Sequence, residues 1–107
     1  MKKVTIANGA SVSGSVELGG DSIVGVAMPA AWTAAQLGVE ASVDGTNFSP
    51  CYDAAGDELL IAAAASRYIV LAPEMTKGLR YVRLRSGTVA APVNQGAARE
   101  ISLELAD

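Results

Sequence analysis

Apolar and polar residues alternate with a period of two along most of this chain, which is the period of a β-strand with one buried face. Between Ser11 and Leu18, the apolar residues Val12, Val16 and Leu18 share one parity, whereas three serines and Glu17 share the other. We therefore expect strands whose apolar side chains form a core and whose polar side chains face solvent.

Turn-forming residues divide the chain into short segments. Eleven glycines and four prolines occur at short intervals, and the segments between them are strand-like. Strands spaced by about 8–12 residues are typical of a β-sandwich or a barrel. We predict an all-β, single-domain β-sandwich over residues 1–107, with about eight short antiparallel strands, and the strand count favours a jelly roll over an immunoglobulin-like order. The predicted strands are residues 3–7, 11–18, 22–28, 37–43, 48–52, 58–63, 67–71, 79–86 and 100–105.

The remaining segments predict irregular structure. Residues 30–36 have a helical composition but little length, so we expect a corner or a short helical turn there. Residues 73–78 predict a single helical turn that ends at a glycine, and residues 86–97 predict a loop. Pro50 lacks a backbone donor, which places it on an edge strand or at a bulge. Residues 1–10 have few apolar anchors and are expected to form an N-terminal arm that reaches a neighbouring subunit.

Composition and charge exclude several classes of function. The chain contains no histidine, so it lacks the commonest general base and the commonest metal ligand. Its net charge of −3 creates no basic field for nucleic acid or an anionic membrane surface. The longest apolar run, residues 59–65, is too short to span a bilayer, and no export signal is visible. We expect no enzyme, no cofactor, no nucleic acid and no membrane.

Two features of the 51–58 segment have a chemical interpretation and a structural one. Cys51 is a possible nucleophile, but with no histidine to activate it a small buried filler is the better interpretation. Asp53, Asp57 and Glu58 offer oxygen ligands for Ca²⁺, yet their spacing matches no calcium loop, and acidic residues beside a glycine also build ordinary β-turns.

The remaining candidate residues suggest protein contacts. Arg80 and Arg83 differ in parity and are expected to face opposite sides of one strand, so cross-strand pairs with Glu100 or Glu104, or links to another subunit, are favoured over phosphate recognition. Trp32 is expected to plug one end of the sandwich, or else to anchor an interface. The residues expected at an interface are Trp32, Arg80, Arg83, Arg85, Val89, Pro92, Asn94 and Gln95.

Four runs of the sequence stand out: Met28–Ala35 (MPAAWTAA), Ala41–Phe48 (ASVDGTNF), Ser66–Ile69 (SRYI) and Leu79–Gly87 (LRYVRLRSG). They resemble a group of small proteins encoded among the structural genes of tailed bacteriophages and prophages, and the resemblance extends from Val24 to Ser102. Within the fourth run, Arg80–Leu84 (RYVRL) is also similar to the corresponding strand of discoidin-like jelly rolls.

The phage resemblance implies a virion component made in the host cytoplasm. The expected role is a capsid decoration (cement) protein, or the base of a head spike, that binds the major capsid protein as a symmetric oligomer, with a homotrimer expected. One alternative is a tail or neck assembly protein. Another is a carbohydrate-binding β-sandwich adhesin module that stacks sugars on Trp32 and the tyrosines, with Asp44, Asn47 or Asn94 donating or accepting hydrogen bonds.

Overall fold

Nine strands pair into two antiparallel sheets in the computed structural model, which describes residues 1–107. Sheet A has the order β1-β9-β3-β7, and sheet B has the order β2-β8-β4-β5, with β6 also paired to β4. The strands are β1 (Lys2–Ile6), β2 (Val16–Glu17), β3 (Ser22–Ala27), β4 (Leu37–Ser42), β5 (Ser49–Pro50), β6 (Leu60–Ile61), β7 (Tyr68–Val70), β8 (Tyr81–Ser86) and β9 (Arg99–Ala106).

Strands β5 and β6 are two halves of one interrupted edge strand. Glu40 of β4 pairs with Pro50, whereas Gly38, two residues earlier on β4, pairs with Leu60. The residues between these pairs loop away as a hairpin, closed by a bridge between Tyr52 and Glu58, and we call it the 52–58 hairpin. With β5 and β6 counted as one strand, eight strands remain in two four-stranded sheets. The order of the strands in these sheets is that of a jelly roll. The predicted fold class is confirmed, and Pro50 lies on an edge as expected.

The core lies between the two sheets and is built from the inward parity of the strands. On β8, Val82 and Leu84 are buried against sheet A, so the alternating residues Arg83 and Arg85 belong to the outer face of sheet B. Aliphatic side chains dominate this core, as the shortage of aromatic residues requires. The buried apolar residues are Val4, Ile6, Leu18, Ile23, Val26, Met28, Leu37, Val39, Ile61, Val82, Leu84, Ile101 and Leu103.

Residues 1–10 do not form an arm, and the prediction of one was wrong. Strand β1 pairs with β9 along all five of its residues. Val4 and Ile6 are buried in the core, while Lys3 and Thr5 are exposed. The polar character of this segment is that of an edge strand with one solvated face. Beyond β1, Gly9 donates its N–H to the carbonyl of Gln95 at 2.8 Å, which ties the following turn to the body of the domain.

Of the corner or short helical turn expected at 30–36, the structure shows a corner, because these residues are irregular and connect β3 to β4. Side chains supply the hydrogen bonds that a helix would otherwise provide. The N–H of Thr33 donates to Oε1 of Gln95 at 2.9 Å, and the carbonyl of Ala35 accepts from the indole N–H of Trp32 at 3.1 Å. The predicted turn at 73–78 is present as a 3-10 helix over Pro73–Met75. No helical segment has the length and apolar character that crossing a membrane requires.

We predict that truncation in the core is costly and that truncation at the rim of sheet B is not. Leu84→Ala removes a fully buried side chain, and we expect a loss of about 2–5 kcal/mol in the free energy of unfolding. Val43→Ala, at a residue with 82% of its surface exposed, is the control and should change stability by less than about 0.5 kcal/mol. Urea unfolding measures both, and equal losses would contradict this core assignment.

Candidate functional site

The outer face of sheet B carries two of the three arginines that the sequence analysis singled out. On β8, Arg83 lies opposite Glu40 of β4, and Arg85 lies opposite Gly38. All four positions share the outward parity, because the intervening residues Val39 and Leu84 are in the core. Arg80 lies outside this arrangement, just before β8 begins.

These side chains form an ion network in which every charged group has a partner. Glu40 lies between two guanidinium groups, with Oε1 at 2.6 Å from Nε of Arg83 and Oε2 at 2.6 Å from Nη1 of Arg85. Nη2 of Arg85 donates to Oε2 of Glu58, also at 2.6 Å. We call Glu40, Glu58, Arg83 and Arg85 the outer-face ion network. Glu40 and Arg85 retain only 8% and 4% of their surface exposure, so these are nearly buried charges.

The carboxylate partners differ from those predicted. Glu100 and Glu104 belong to β9 in sheet A, so neither faces the arginines of β8. Glu100 pairs instead with Lys3 at 3.4 Å, in an exposed ion pair. A cross-strand ion pair is therefore present, as expected, but the predicted partners Glu100 and Glu104 were wrong, because the strand order places β4 rather than β9 beside β8.

Gly38 allows Arg85 to reach Glu58. A Cβ atom at Gly38 would collide with the guanidinium group of Arg85, which lies directly over this glycine. Any larger residue at position 38 would displace that group from its two carboxylate partners. Beside it, the guanidinium carbon of Arg83 lies 4.5 Å from the centroid of the Phe48 ring, in a cation–π contact.

The network positions two loops of sheet B. Oε2 of Glu58, in the 52–58 hairpin, accepts the N–H of Val89 at 3.0 Å as well as the hydrogen bond from Arg85. Arg85 thus holds the hairpin, and the hairpin holds the 86–97 loop. Since each carboxylate is neutralised by an arginine, the arrangement supplies rigid positioning and charge compensation rather than a free acid or base.

Gln95 fastens the other end of the 86–97 loop and is itself buried. Its Oε1 accepts from the Thr33 N–H and from Nε of Arg99, at 2.9 and 3.1 Å. Its Nε2 donates to the Thr33 carbonyl at 3.0 Å and to Oγ of Ser86 at 2.7 Å. The amide group behaves as an extra peptide unit that connects two irregular segments.

The eight residues expected at an interface therefore occupy different environments. Gln95 and Arg85 are buried within the chain, so neither side chain is available at its surface. Trp32 is half-buried and packs against the core, as expected of a residue that plugs one end of the sandwich, and Arg83 is half-buried in the ion network. The exposed ones are Arg80, Val89, Pro92 and Asn94.

Cys51 is half-buried and packs against the core. Burial raises the pKa of its thiol above the ordinary value, the charge of Glu40 adds to this effect, and the charge of Arg85 opposes it. The thiol is consequently protonated at neutral pH, which fits a filler better than a nucleophile. Nearby, Oδ1 of Asp53 accepts the N–H groups of Ala55 and Asp57, both at 2.9 Å, as in an ordinary acidic turn.

A tightly bonded turn, residues 42–47, follows β4. Oδ1 of Asp44 accepts the N–H groups of Thr46 and Asn47 and the hydroxyl of Ser42, at 2.8, 2.9 and 2.8 Å. Oδ2 accepts the side-chain amide of Asn47 at 3.0 Å. These donors, led by the backbone N–H of Asn47, hold the pKa of the Asp44 carboxyl well below its usual range.

Two clefts meet beside Arg80, at the end of sheet B where this turn lies. The larger has a volume of about 390 Å³, and its lining includes Ser42, Asn47, Ser49 and Arg80. The smaller, of about 260 Å³, includes Glu17 and Arg80. The sequence analysis singled out Arg80 and named Asn47 only for the carbohydrate alternative. It missed Ser42 and Ser49 and did not bring these residues together, although a polar turn directly after a predicted strand was a visible signal.

Comparison of the chain with protein-family models, with curated proteins and with solved structures finds no match. The function is therefore inferred from the sequence and from the surfaces just described.

Loss of the central carboxylate of the ion network should destabilise the domain strongly. Glu40→Ala leaves Arg85 buried with one partner fewer, and we expect a loss of about 3–5 kcal/mol in the free energy of unfolding. Glu100→Ala is the matched control, because it breaks an exposed ion pair and should cost less than about 1 kcal/mol. Chemical denaturation of both variants tests this, and a Glu40→Ala loss as small as the control's would show that the network contributes little.

The turn at Asp44 should make part of the stability dependent on acid pH. The pKa of Asp44 is lower in the folded chain than its ordinary value of 3.8, so its contribution is complete above that value and is lost as the pH falls further. Asp44→Ala removes this contribution at every pH. Unfolding measured from pH 6 down to pH 2 should therefore show that the two proteins become more similar in stability as the pH falls. A difference that is independent of pH would exclude the lowered pKa.

Proposed function

We propose that this chain is a structural protein of a tailed-bacteriophage virion, made in the host cytoplasm. Its proposed role is a capsid decoration protein that binds the major capsid protein as a symmetric oligomer. The first support is the resemblance of four sequence runs to small proteins encoded among phage structural genes. The second, on which the proposal mainly depends, is the open apolar edge of sheet A.

Strand β7 is this open edge. It pairs with β3 on one side only, and Tyr68 and Val70 have 56% and 80% of their surface exposed. Charged side chains, prolines or bulges commonly protect an edge strand from pairing with another chain. None of these occurs within Tyr68–Val70, and the only protective feature of this edge is its short length of three residues. An exposed apolar edge of this kind is typical of a surface that another protein covers.

The chemistry of the outer face of sheet B supports an interaction protein over an enzyme. Its arginines and glutamates neutralise one another, so they hold loops in place rather than act on a substrate. Tyr52 and Val89 are exposed on the two loops that the network positions. A rigid sandwich that presents apolar residues at fixed positions suits repeated docking on a regular lattice.

In the proposed homotrimer, subunit contacts would cover part of this apolar surface and capsid contacts the remainder. A tail or neck assembly protein would use the same surfaces in the same virion and differs only in its docking site.

One observation favours the carbohydrate-binding alternative enough to keep it. A Cβ atom at Gly25 would collide with the hydroxyl group of Tyr68, so the Tyr68 ring lies across this glycine on the outer face of sheet A. An exposed aromatic ring laid along a sheet is a surface on which a sugar can stack. A single such ring is a small platform, and the decoration role remains the primary proposal.

Co-sedimentation with expanded capsids that lack this protein tests the proposal. The wild-type chain should be recovered with the capsids in stoichiometric amount, and imaging should show it at symmetric lattice sites. The double variant Tyr68→Ser/Val70→Ser removes the exposed apolar groups and should bind at least about tenfold more weakly, because interface energy is concentrated in a few such residues.

Glu74→Ser, at an exposed residue of the 3-10 helix that lies outside β7 and outside the loops of sheet B, is the control and should bind capsids about as well as wild type. Thermal unfolding should confirm that both variants are folded. Binding to tails or to host-surface glycans in place of capsids would overturn the decoration role in favour of an alternative.

A further inference from the structure

We propose that the larger cleft beside Arg80 binds a carboxylate group carried on an apolar peptide segment of another protein. This inference goes beyond the proposed function because it assigns a binding site and a ligand chemistry, and it applies whether the partner lies on the capsid, the neck or the tail.

Arg80 is an unused cation. Arg83 and Arg85 are each bound to carboxylates, whereas the exposed guanidinium group of Arg80 forms no ion pair and donates no hydrogen bond. Its backbone, by contrast, is fixed, because the Arg80 carbonyl accepts the Leu18 N–H at 2.8 Å. A guanidinium group on a fixed backbone is well suited to bind a carboxylate in a bidentate manner.

The cleft provides further polar groups around this cation. Ser49 faces the same cleft, and its hydroxyl makes no hydrogen bond within the chain. The opposite side is the 42–47 turn, whose Ser42 and Asn47 side chains are held by Asp44. A volume of about 390 Å³ is within the usual range for binding sites, about 300–1,000 Å³, and holds a few residues of a peptide.

Apolar residues beside Arg80 indicate the rest of the ligand. Ala41, Val43 and Leu79 line the same cleft, and Val43 is almost fully exposed. An aspartate or glutamate next to an aliphatic residue would pair with Arg80 and cover Val43 at the same time. Covering an exposed valine adds a favourable hydrophobic contribution to the single charge pair.

The charges around the cleft favour a carboxylate over a phosphate. Arg80 is the only cationic residue that lines either cleft, and Glu17 lines the smaller one. Asp44 is ionised in the adjoining turn. A phosphate group with nearly two negative charges would be repelled by both carboxylates, with only one arginine to offset the repulsion, whereas a single carboxylate is balanced by Arg80.

The cleft is connected to the other sheet, so its geometry is fixed. Leu79 donates its N–H to the Thr76 carbonyl at 3.1 Å, and the buried hydroxyl of Thr76 accepts the N–H of Ile23 in β3 at 2.7 Å. Gly78 adopts a φ of +86°, which L-residues rarely adopt, and so permits the sharp turn that brings Arg80 to the cleft. A site preorganised in this way loses little entropy on binding.

Two matched peptides test the assignment by NMR titration of the isotope-labelled chain. The probes are acetyl-Val-Asp-Val-amide and acetyl-Val-Asn-Val-amide, which differ only in the charge of the central residue. We expect the Asp peptide to shift the amide signals of Asn47, Ser49 and Arg80 and to bind about three- to tenfold more tightly than the Asn peptide. Arg80→Gln should abolish this preference, while Arg67→Gln, at an exposed arginine outside the clefts, should preserve it.

Several results would overturn the assignment. The first three are equal binding of the two peptides, a preference that survives Arg80→Gln, and shifts confined to other parts of the chain. The fourth is the absence of any shift at about 10 mM peptide, because a dissociation constant above that concentration is too weak for recognition. Arg80-dependent binding of inorganic phosphate without binding of the Asp peptide would show that the ligand class is wrong. Because capsid binding of the Tyr68→Ser/Val70→Ser variant is measured separately, failure here is distinguishable from failure of the proposed function.

Discussion

The ion pair between Arg85 and Glu40 is the interaction on which the outer face of sheet B depends. Both side chains are nearly buried, and burying two charges is favourable only when their partners and geometry are close to ideal. The geometry here requires a residue without a side chain at position 38, so that the Arg85 guanidinium group can lie over it, a second carboxylate from Glu58, and a neighbouring arginine at position 83. The 52–58 hairpin and the 86–97 loop take their positions from this pair, and Cys51 takes its electrostatic surroundings from it.

Polar side chains supply hydrogen bonds to segments that the apolar core does not hold in place. The core fixes the two sheets through alternating aliphatic residues, but it leaves the long irregular segments without hydrogen-bond partners. Gln95 supplies those partners at one end of the sandwich, and Arg85 with Glu58 supplies them on the outer face of sheet B. Apart from Met1, the large apolar side chains that remain exposed lie on β7, on the two loops that the network positions and beside Arg80.

The alternation of residues such as Val82 and Leu84 was enough to predict the strands and the sandwich. The strand predicted at residues 3–7 is present as β1, but the arm expected over residues 1–10 was wrong, because an edge strand with one solvated face has as few apolar residues as an arm. At 30–36 the sequence could not decide between a corner and a helical turn, because the hydrogen-bond partner that holds the corner, Gln95, lies 62 residues away from Thr33 in the chain. At the candidate site the arginines could be predicted, but their partners could not, since identifying Glu40 and Glu58 requires the strand order. For the same reason the sequence did not reveal that Arg80, unlike Arg83 and Arg85, has no carboxylate partner.

The interruption between β5 and β6 limits how another chain can pair with this edge of sheet B. A continuous edge strand offers an unbroken row of donors and acceptors to any extended chain, and this is how uncontrolled β-aggregation begins. In sheet B that row is broken by the 52–58 hairpin, so a foreign strand cannot add along its full length. Sheet A has edges at β1, which exposes two lysines, and at β7, which exposes Tyr68 and Val70. Addition of a strand is in this way blocked along this edge of sheet B, while β7 of sheet A remains able to pair with an extended chain.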